Sequence, residues 1–395
     1  MRYRFGDFEL VRETRELLAR GQPRPVEPQV FDLLLYLIES RDRVVTTDDL
    51  VEAIWGGRIV SEAAVSARIS AARSAVEDDG KRQRWIRTFP RRGFRFVGDV
   101  AVEAPGRSPA AAGNQHIAFC RSRDGTRIAY ATSGEGYPLV KAGHWLTHLD
   151  HDWTSPIWRP FLDRLNSAFR VARYDQRGNG LSDWDIGDLS LDRFVDDLAA
   201  VVDAAGFERF ALYGTSQGAP IALAYAHRHP ERVSHLVLHG GFVEGRLIRM
   251  REGERQQAEA ILTLMRHGWG RAGSAFIDAF ATMFIPDGTR EQIESLVSLQ
   301  CRTTSPDNAV ALHRAVDTFD VSSIVEEIDI PTLVVHARGD SVQPLDQGRE
   351  LASRIAGAEF VLLESRNHIP LPQEAAWRTF FDRLEAFVRG SDTKR

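Results

Sequence analysis

Three residues far apart along the chain could together perform acyl chemistry: Ser216, Asp340 and His368. Ser216 lies in Gly214-Thr215-Ser216-Gln217-Gly218, after the apolar run Phe210-Ala211-Leu212-Tyr213 and before the helix-like run Ala219 to His227. A serine between small residues at a strand-to-helix turn is lifted out of its sheet, and the next backbone N–H can be aimed at an attacked carbonyl. Five residues of this kind also arise by chance, so their weight rests on their surroundings. Asp340 follows the apolar run Pro331 to His336, in Ala337-Arg338-Gly339-Asp340, and His368 follows Phe360-Val361-Leu362-Leu363. In that order a serine could attack a carbonyl, a histidine take and return its proton, and a carboxylate orient the imidazole.

The elements that must position these residues alternate between strand and helix. Residues 116–121 and 127–132 read as a hairpin around Asp124-Gly125, and strand and helix patterns then alternate to a last helix at about 373–388. Such alternation predicts a mostly parallel sheet with helices on both faces. Together with Asp175-Gln176-Arg177-Gly178-Asn179-Gly180-Leu181-Ser182-Asp183, the order Ser, Asp, His makes residues 116–390 resemble the α/β-hydrolases. The resemblance implies a Ser216–His368–Asp340 triad acting on esters, thioesters, lactones or activated C–C bonds. Relatives that act on haloalkanes or epoxides carry Asp at the serine position. The resemblance also implies an oxyanion hole from the N–H of Gln217 and one N–H of Ala142-Gly143-His144-Trp145. Many relatives have His-Gly in that loop, so the choice between His144 and Trp145 stays open. Asp320 is a fallback acid, although it precedes the strand expected to carry that residue.

Two further stretches bear on the site. Leu146-Thr147-His148-Leu149-Asp150-His151 nearly matches the HxHxDH zinc motif, but Leu146 replaces the first histidine. These residues are expected to shape a pocket entrance, and neither metal nor cofactor is called for. Residues at about 243–318 carry apolar positions at helical spacing, among them Ile261, Leu262, Phe276, Ile277, Phe280 and Met283. They read as a helical cap that sets selectivity for a partly apolar ligand.

The first hundred residues have a different pattern. A short strand at 5–11 could pair with 17–19. Three helical segments follow, after Pro28, after Thr46-Thr47-Asp48-Asp49 and after Ser61-Glu62, and then comes a hairpin around Pro90-Arg91-Arg92-Gly93. Val30, Phe31, Leu33, Leu34, Leu37 and Ile38 form one apolar stripe, and Val65, Ile69, Ala72 and Val76 another. Residues 56–98 contain 10 basic and 4 acidic residues, in a chain of formal charge −5. Through Glu27 to Leu34, Leu50 to Trp55, Val60 to Val76 and Ile86 to Phe96, residues 1–98 resemble the winged-helix DNA-binding domain of OmpR/PhoB-type regulators, also found in CadC/ToxR-type proteins. The resemblance implies that helix 61–77 enters the major groove of double-stranded DNA. Arg68 and Arg73 would make contacts beside Ser66 and Ser70, and Arg91 and Arg92 would form the wing contacts.

The fold class expected is therefore multidomain: an N-terminal winged helix-turn-helix (α+β) in residues 1–100, a flexible linker at 101–115 rich in Ala, Pro, Gly and Ser, and an α/β-hydrolase fold at 116–390. Cys120 and Cys301 suggest neither a disulfide framework nor a metal site. The start lacks the apolar region of a signal peptide and no apolar run of about 18 residues is present, so neither a leader, a receiver domain nor a membrane span is expected. A cytoplasmic one-component regulator is expected, with a small-molecule ligand, no membrane association, and a homodimer as the assembly that tandem or two-fold DNA sites would suit. The competing expectations are an esterase or lactonase with an auxiliary DNA-binding module, and a catalytically silent receptor.

Overall fold

Short alternating runs at the start of the chain pair into a meander because each buries one face and wets the other. The strands are β1 (Arg2–Phe5), β2 (Phe8–Val11), β3 (Glu16–Ala19) and β4 (Gln22–Arg24). The structure is a computed structural model that describes residues 2–11, 16–20, 22–24, 26–55, 60–90, 92–103, 115–250, 252–271 and 274–390. The chain divides into two units, Met1–Ala112 and Gly113–Arg395.

In the first unit the meander is followed by α1 (Pro28–Glu39), α2 (Thr47–Trp55), α3 (Glu62–Ala75), a hairpin of β5 (Ile86–Phe89) and β6 (Gly93–Phe96), and β7 (Ala101–Glu103). The cap read before α2 is reciprocal: Asp49 N–H donates to Thr46 Oγ1 at 3.1 Å, and Thr46 N–H to the Asp49 carboxylate at 2.9 Å. Ser61 Oγ accepts from Ala64 N–H at the start of α3. The apolar stripes of α1 and α3 are buried, packed with Phe5, Trp85 and Phe96. Each large aliphatic side chain so buried contributes about 1.5–3 kcal/mol.

Composition misplaced the linker at both ends. Ala101–Glu103 is a strand paired antiparallel with β1. Gln115 belongs to the second unit, where its Nε2 donates to Leu149 O and its Oε1 accepts from Arg173 at 2.6 Å. Backbone pairing and a buried arginine decided these positions, and neither leaves a mark on local polarity. The rest of the expected linker, 104–114, lies outside the described residues.

The second unit opens with the hairpin β8 (His116–Arg121) and β9 (Arg127–Ser133), then β10 (Tyr137–Lys141), α4 (Leu149–Asp152), α5 (Trp158–Asn166), β11 (Phe169–Tyr174), α6 (Leu191–Ala204), β12 (Phe210–Thr215), α7 (Gly218–Arg228) and β13 (Val233–His239). Five helices follow: α8 (Arg246–Arg249), α9 (Glu252–Gly268), α10 (Ala275–Phe284), α11 (Arg290–Thr303) and α12 (Pro306–Val316). The core resumes with β14 (Thr332–Ala337), α13 (Leu345–Arg354), β15 (Glu359–Leu363) and α14 (Ala375–Gly390). The eight strands run in the order β15-β14-β13-β12-β10-β11-β9-β8, parallel from β15 to β11. All of β12, β13 and β14 is buried, as continuous apolar runs in a doubly covered sheet require. The chain passes from β10 to β11 on one side and returns to β12 on the other. The loops leaving β10 and β12 therefore face each other at the carboxyl edge, where open α/β sheets form their crevice.

Candidate active site

The turn between β12 and α7 is built by exclusion. Ser216 has φ +53, a left-handed conformation that a non-glycine residue adopts at a cost of order 1–3 kcal/mol. Close approach holds it there. A Cβ on Gly214 would meet Gly218 O at 2.4 Å, and one on Gly218 would meet Gly143 O at 2.9 Å. Ser216 N–H donates to His239 O at 2.9 Å, tying the turn to β13. Gln217 precedes the first turn of α7, whose leading N–H groups have no acceptor within the helix.

Asp340 and His368, 28 positions apart, meet at 2.6 Å between Oδ2 and Nδ1. The other carboxylate oxygen accepts from Val342 and Gln343 N–H at 2.8 and 3.0 Å. Burial pushes the Asp340 carboxyl up, but the charge and hydrogen bond of His368 and these two N–H groups outweigh it. The group is held below its ordinary value. His368 is buried, and its Nε2 has no hydrogen-bond partner. Its N–H donates to Phe284 O in the cap at 2.8 Å, and its ring stacks 6.4 Å from His239. His239 is held neutral, first by burial and then by His368, with its pKa pushed down to about 3. Asp320 accepts from Ser322 N–H at 2.8 Å, and the carboxylate that meets His368 is Asp340.

Ser216 and His368 line one small cavity of about 30 Å³ with His144, Trp145, Trp158 and Phe284. Ser216, Gln217 and Trp145 also line a larger one of about 290 Å³ under the cap. The loop after β10 is therefore beside the serine. His144 is buried against the Trp158 ring at 5.1 Å, and burial with the nearby Lys141 and His368 keeps it neutral. The carbonyl of Trp145 accepts from Asn179 Nδ2 at 2.8 Å and Gln176 Nε2 at 3.3 Å. Gln176 Oε1 in turn accepts from Gln217 Nε2. These contacts give the 175–183 stretch a physical role: it clamps the loop after β10. The sequence marked the stretch without revealing that role. The clamp itself is held by Arg177, whose guanidinium meets both oxygens of the fully buried Asp197 at 2.8 and 2.6 Å.

The cap expected at about 243–318 is helices α8–α12. It is stitched to the clamp where Gly180 N–H donates to Thr303 O at 2.7 Å and Thr304 Oγ1 to Gly178 O at 2.5 Å. The near-zinc stretch is spent on local structure. His148 caps α4, accepting from His151 N–H at 3.4 Å, and burial pushes the His151 pKa down to about 4. Among the described residues no cluster of His, Cys, Asp or Glu could hold a metal ion. Behind the loop after β10, Lys141, Asp152 and Arg173 form a buried group of ionisable side chains that sequence reasoning missed. Arg173 reaches Asp152 at 3.4 Å. Burial lowers the Lys141 pKa and raises that of Asp152.

On the expected DNA-binding face the residues separate. Ser66 and Ser70 are exposed on α3, and Arg68 is half-buried in an ion pair with Glu27. Arg73 is a correction. It points inward, 9% exposed, and donates to Ile86 O at 2.8 and 3.1 Å and to Thr88 Oγ1 at 2.8 Å, fastening α3 to the wing. A carbonyl left at the end of the hairpin strand needed a donor, and a long arginine could reach it from the helix. Arg92 is exposed, and Arg91 lies outside the described residues. Exposed cations that the reading passed over include Arg87 and Arg82.

A parallel sheet with a left-handed serine after its central strand, and an Asp–His pair after later strands, defines an α/β-hydrolase. Residues 151–375 match the family described as alpha/beta hydrolase fold, and the chain belongs to it. Residues 21–96 match the family described as transcriptional regulatory protein, C terminal, so an OmpR/PhoB-type DNA-binding domain is fused to the hydrolase domain. The chain is 26% identical over 272 residues to pyrrolizixenacetamide deacetylase of Xenorhabdus hominickii, covering 67% of this chain and 96% of that protein. It is 25% identical over 248 residues to a pimeloyl-[acyl-carrier protein] methyl ester esterase of Nitrosomonas europaea, covering 62% and 93%. A hydrolase of Pseudomonas aeruginosa of known structure shares the fold at TM-score 0.57 and 24% identity, covering 69% and 98%. No helix among the described residues is long and apolar enough to cross a membrane.

Proposed function

We propose that this protein is a one-component transcription regulator. Its winged helix binds promoter DNA, and its hydrolase domain senses and hydrolyses a small, partly apolar ester, thioester or lactone. The observation that carries the catalytic half is the Asp340–His368 pair at 2.6 Å, with His368 Nε2 unpartnered and lining the cavity that Ser216 lines. Ser216 Oγ attacks the carbonyl as His368 Nε2 takes its proton, and Asp340 stabilises the imidazolium. The tetrahedral oxyanion is received by the N–H of Gln217 with one from the His144–Trp145 turn. His368 then protonates the leaving group, and water releases the acyl group by the reverse proton path. The names of the deacetylase and the methyl ester esterase support acyl chemistry of this kind.

DNA contact is assigned to Ser66, Arg68 and Ser70 on α3 and to Arg91 and Arg92 in the wing; Arg73 is withdrawn from that set. Coupling requires the ligand to bind the DNA-competent and incompetent states with different affinity. We place the protein in the cytoplasm, as a homodimer on two-fold sites. The test is Ser216→Ala, assayed in parallel for p-nitrophenyl ester hydrolysis and for ligand-dependent retention of its own promoter fragment. Loss of hydrolysis with ligand-locked regulation is expected. Normal regulation by the variant, with no turnover by the wild type on a broad ester panel, would leave a silent receptor. Hydrolysis by a protein that shifts no promoter fragment at low salt would leave an esterase with an auxiliary module.

A further inference from the structure

The larger cavity beside Ser216 carries a charge that catalysis does not use. Arg246 and Arg249, both on the single turn α8, line its wall. The turn is fixed by backbone bonds: Gly245 N–H donates to Phe319 O at 2.6 Å and Leu247 N–H to Asp317 O at 2.9 Å. Arg246 Nη2 reaches Asp317 Oδ2 at 3.4 Å, and Arg249 Nη2 donates to the neutral Gln343 Oε1 at 2.9 Å. Arg246 Nε and Arg249 Nη1 are buried and without a hydrogen-bond partner. Asp317 is the one carboxylate among the described lining residues, and its Oδ2 also lies 3.1 Å from His313 Nδ1, while Glu244 and Glu350 act on Arg249 from outside the lining. Within the described wall, two guanidinium groups thus face one carboxylate that a histidine also approaches. The rest of the wall is largely apolar, including Phe276, Phe280 and Met283.

Buried guanidinium N–H groups without acceptors cost free energy, and such a site is completed when a ligand brings the acceptor. A buried guanidinium nitrogen without an acceptor on each of two arginines matches a carboxylate, with its two oxygens in a plane. We propose that Arg246 and Arg249 form a carboxylate subsite. The ligand would then be an ester, thioester or lactone whose acyl part ends in a free carboxylate beyond a short apolar segment. This assignment rests on Ser216 as the nucleophile for its reaction, and it names the substrate class of that site. Hydrolysis would break the acyl C–O or C–S bond, transfer the acyl group to Ser216 as the alcohol or thiol leaves with the proton from His368, and then pass it to water as a dicarboxylate; a lactone, whose leaving oxygen stays attached, would give a hydroxy dicarboxylate.

The experiment compares kcat/KM for p-nitrophenyl hydrogen adipate with that for p-nitrophenyl hexanoate, its uncharged counterpart of equal chain length. The wild type should prefer the charged ester by at least ~10-fold. Arg249→Gln should reduce that preference by a similar factor, with Arg249→Lys in between and Arg246→Gln changing it in the same direction. A wild-type ratio at or below unity for both the adipate and the shorter glutarate ester overturns the subsite, as does a ratio that folded Arg249→Gln leaves unchanged. Should Arg249→Gln fail to fold, the wild-type ratio and Arg246→Gln decide. The catalytic reading is separated by Ser216→Ala and free adipate. Thermal stabilisation by adipate but not by hexanediol, with neither ester turned over by the wild type, sinks the serine mechanism and retains the subsite. If adipate produces no stabilisation under those conditions, the subsite is overturned as well.

Discussion

The hydrolase site and the DNA-binding helix both contain residues chosen for their chemical type, and the two regions treat them differently. At the site, each singled-out residue is over-determined by its neighbours. Gly214 and Gly218 leave no room for a side chain, Ser216 is held at φ +53, and Asp340 accepts three hydrogen bonds. On α3, residues of the same apparent rank diverge. Arg68 is paired near the surface, while Arg73, five positions later, is folded into the wing. Small residues in a tight turn have one way to fit, whereas an arginine with four side-chain torsions can satisfy either solvent or the interior. Motifs made of steric constraints therefore transfer to structure more reliably than motifs made of long charged side chains.

That contrast can be broken experimentally, and the largest effect is expected at the turn. Ser216→Ala should lower ester hydrolysis by ~10³-fold or more while shifting the melting temperature little, since the proposed mechanism gives the lost hydroxyl a catalytic role and no structural one. A residual rate within ~10-fold of wild type would remove Ser216 from the mechanism. His239 tests the electrostatics beneath the site. Its ring stays neutral in the fold down to about pH 3, against an ordinary 6.5. Between those values the unfolded chain binds a proton there that the native state does not. The stabilisation is complete above about pH 6.5 and is lost as pH falls toward 3. His239→Gln should flatten the acid limb of stability against pH by a few kcal/mol. An unchanged slope in denaturant melts would assign acid lability elsewhere.

The DNA-binding side supplies a paired comparison. Arg73→Ala should destabilise the N-terminal unit by about 2–3 kcal/mol, since it strands Ile86 O and Thr88 Oγ1. Arg68→Ala should leave stability within about 0.5 kcal/mol, weaken DNA binding and reduce the salt slope by about 1. If the two variants exchange phenotypes in melts and salt titrations, the assignment of inward and outward arginines is wrong. Asn179→Ala is expected to act at the smaller end of the catalytic effects, about 10-fold in kcat/KM, by releasing one of the two donors on Trp145 O. An effect on KM alone would place the clamp in binding and not in oxyanion support.

Much of this architecture was legible in the sequence because it follows from periodicity. The stripes on α1 and α3 and the continuous apolar runs of β12–β14 reflect how much of each element is buried, which sequence pattern records directly. Strand β7 was not legible, because three residues of ordinary polarity reveal a strand only when β1 is there to pair with them. The cavity arginines were equally silent. Arg246 and Arg249 gain a setting only where α9, α10 and α12 line the same cavity.

By itself the sequence determined the order of the elements and the serine turn, since these depend on local sterics and on which residues alternate or run apolar. Only the tertiary structure decided that Asp340, not Asp320, meets His368. It also decided that the 175–183 stretch clamps the loop beside the serine, and that Arg73 faces inward while two cap arginines keep unpaired donors. Those outcomes depend on contacts between residues 13 to 94 positions apart, and their geometry is set by how the packed layers meet.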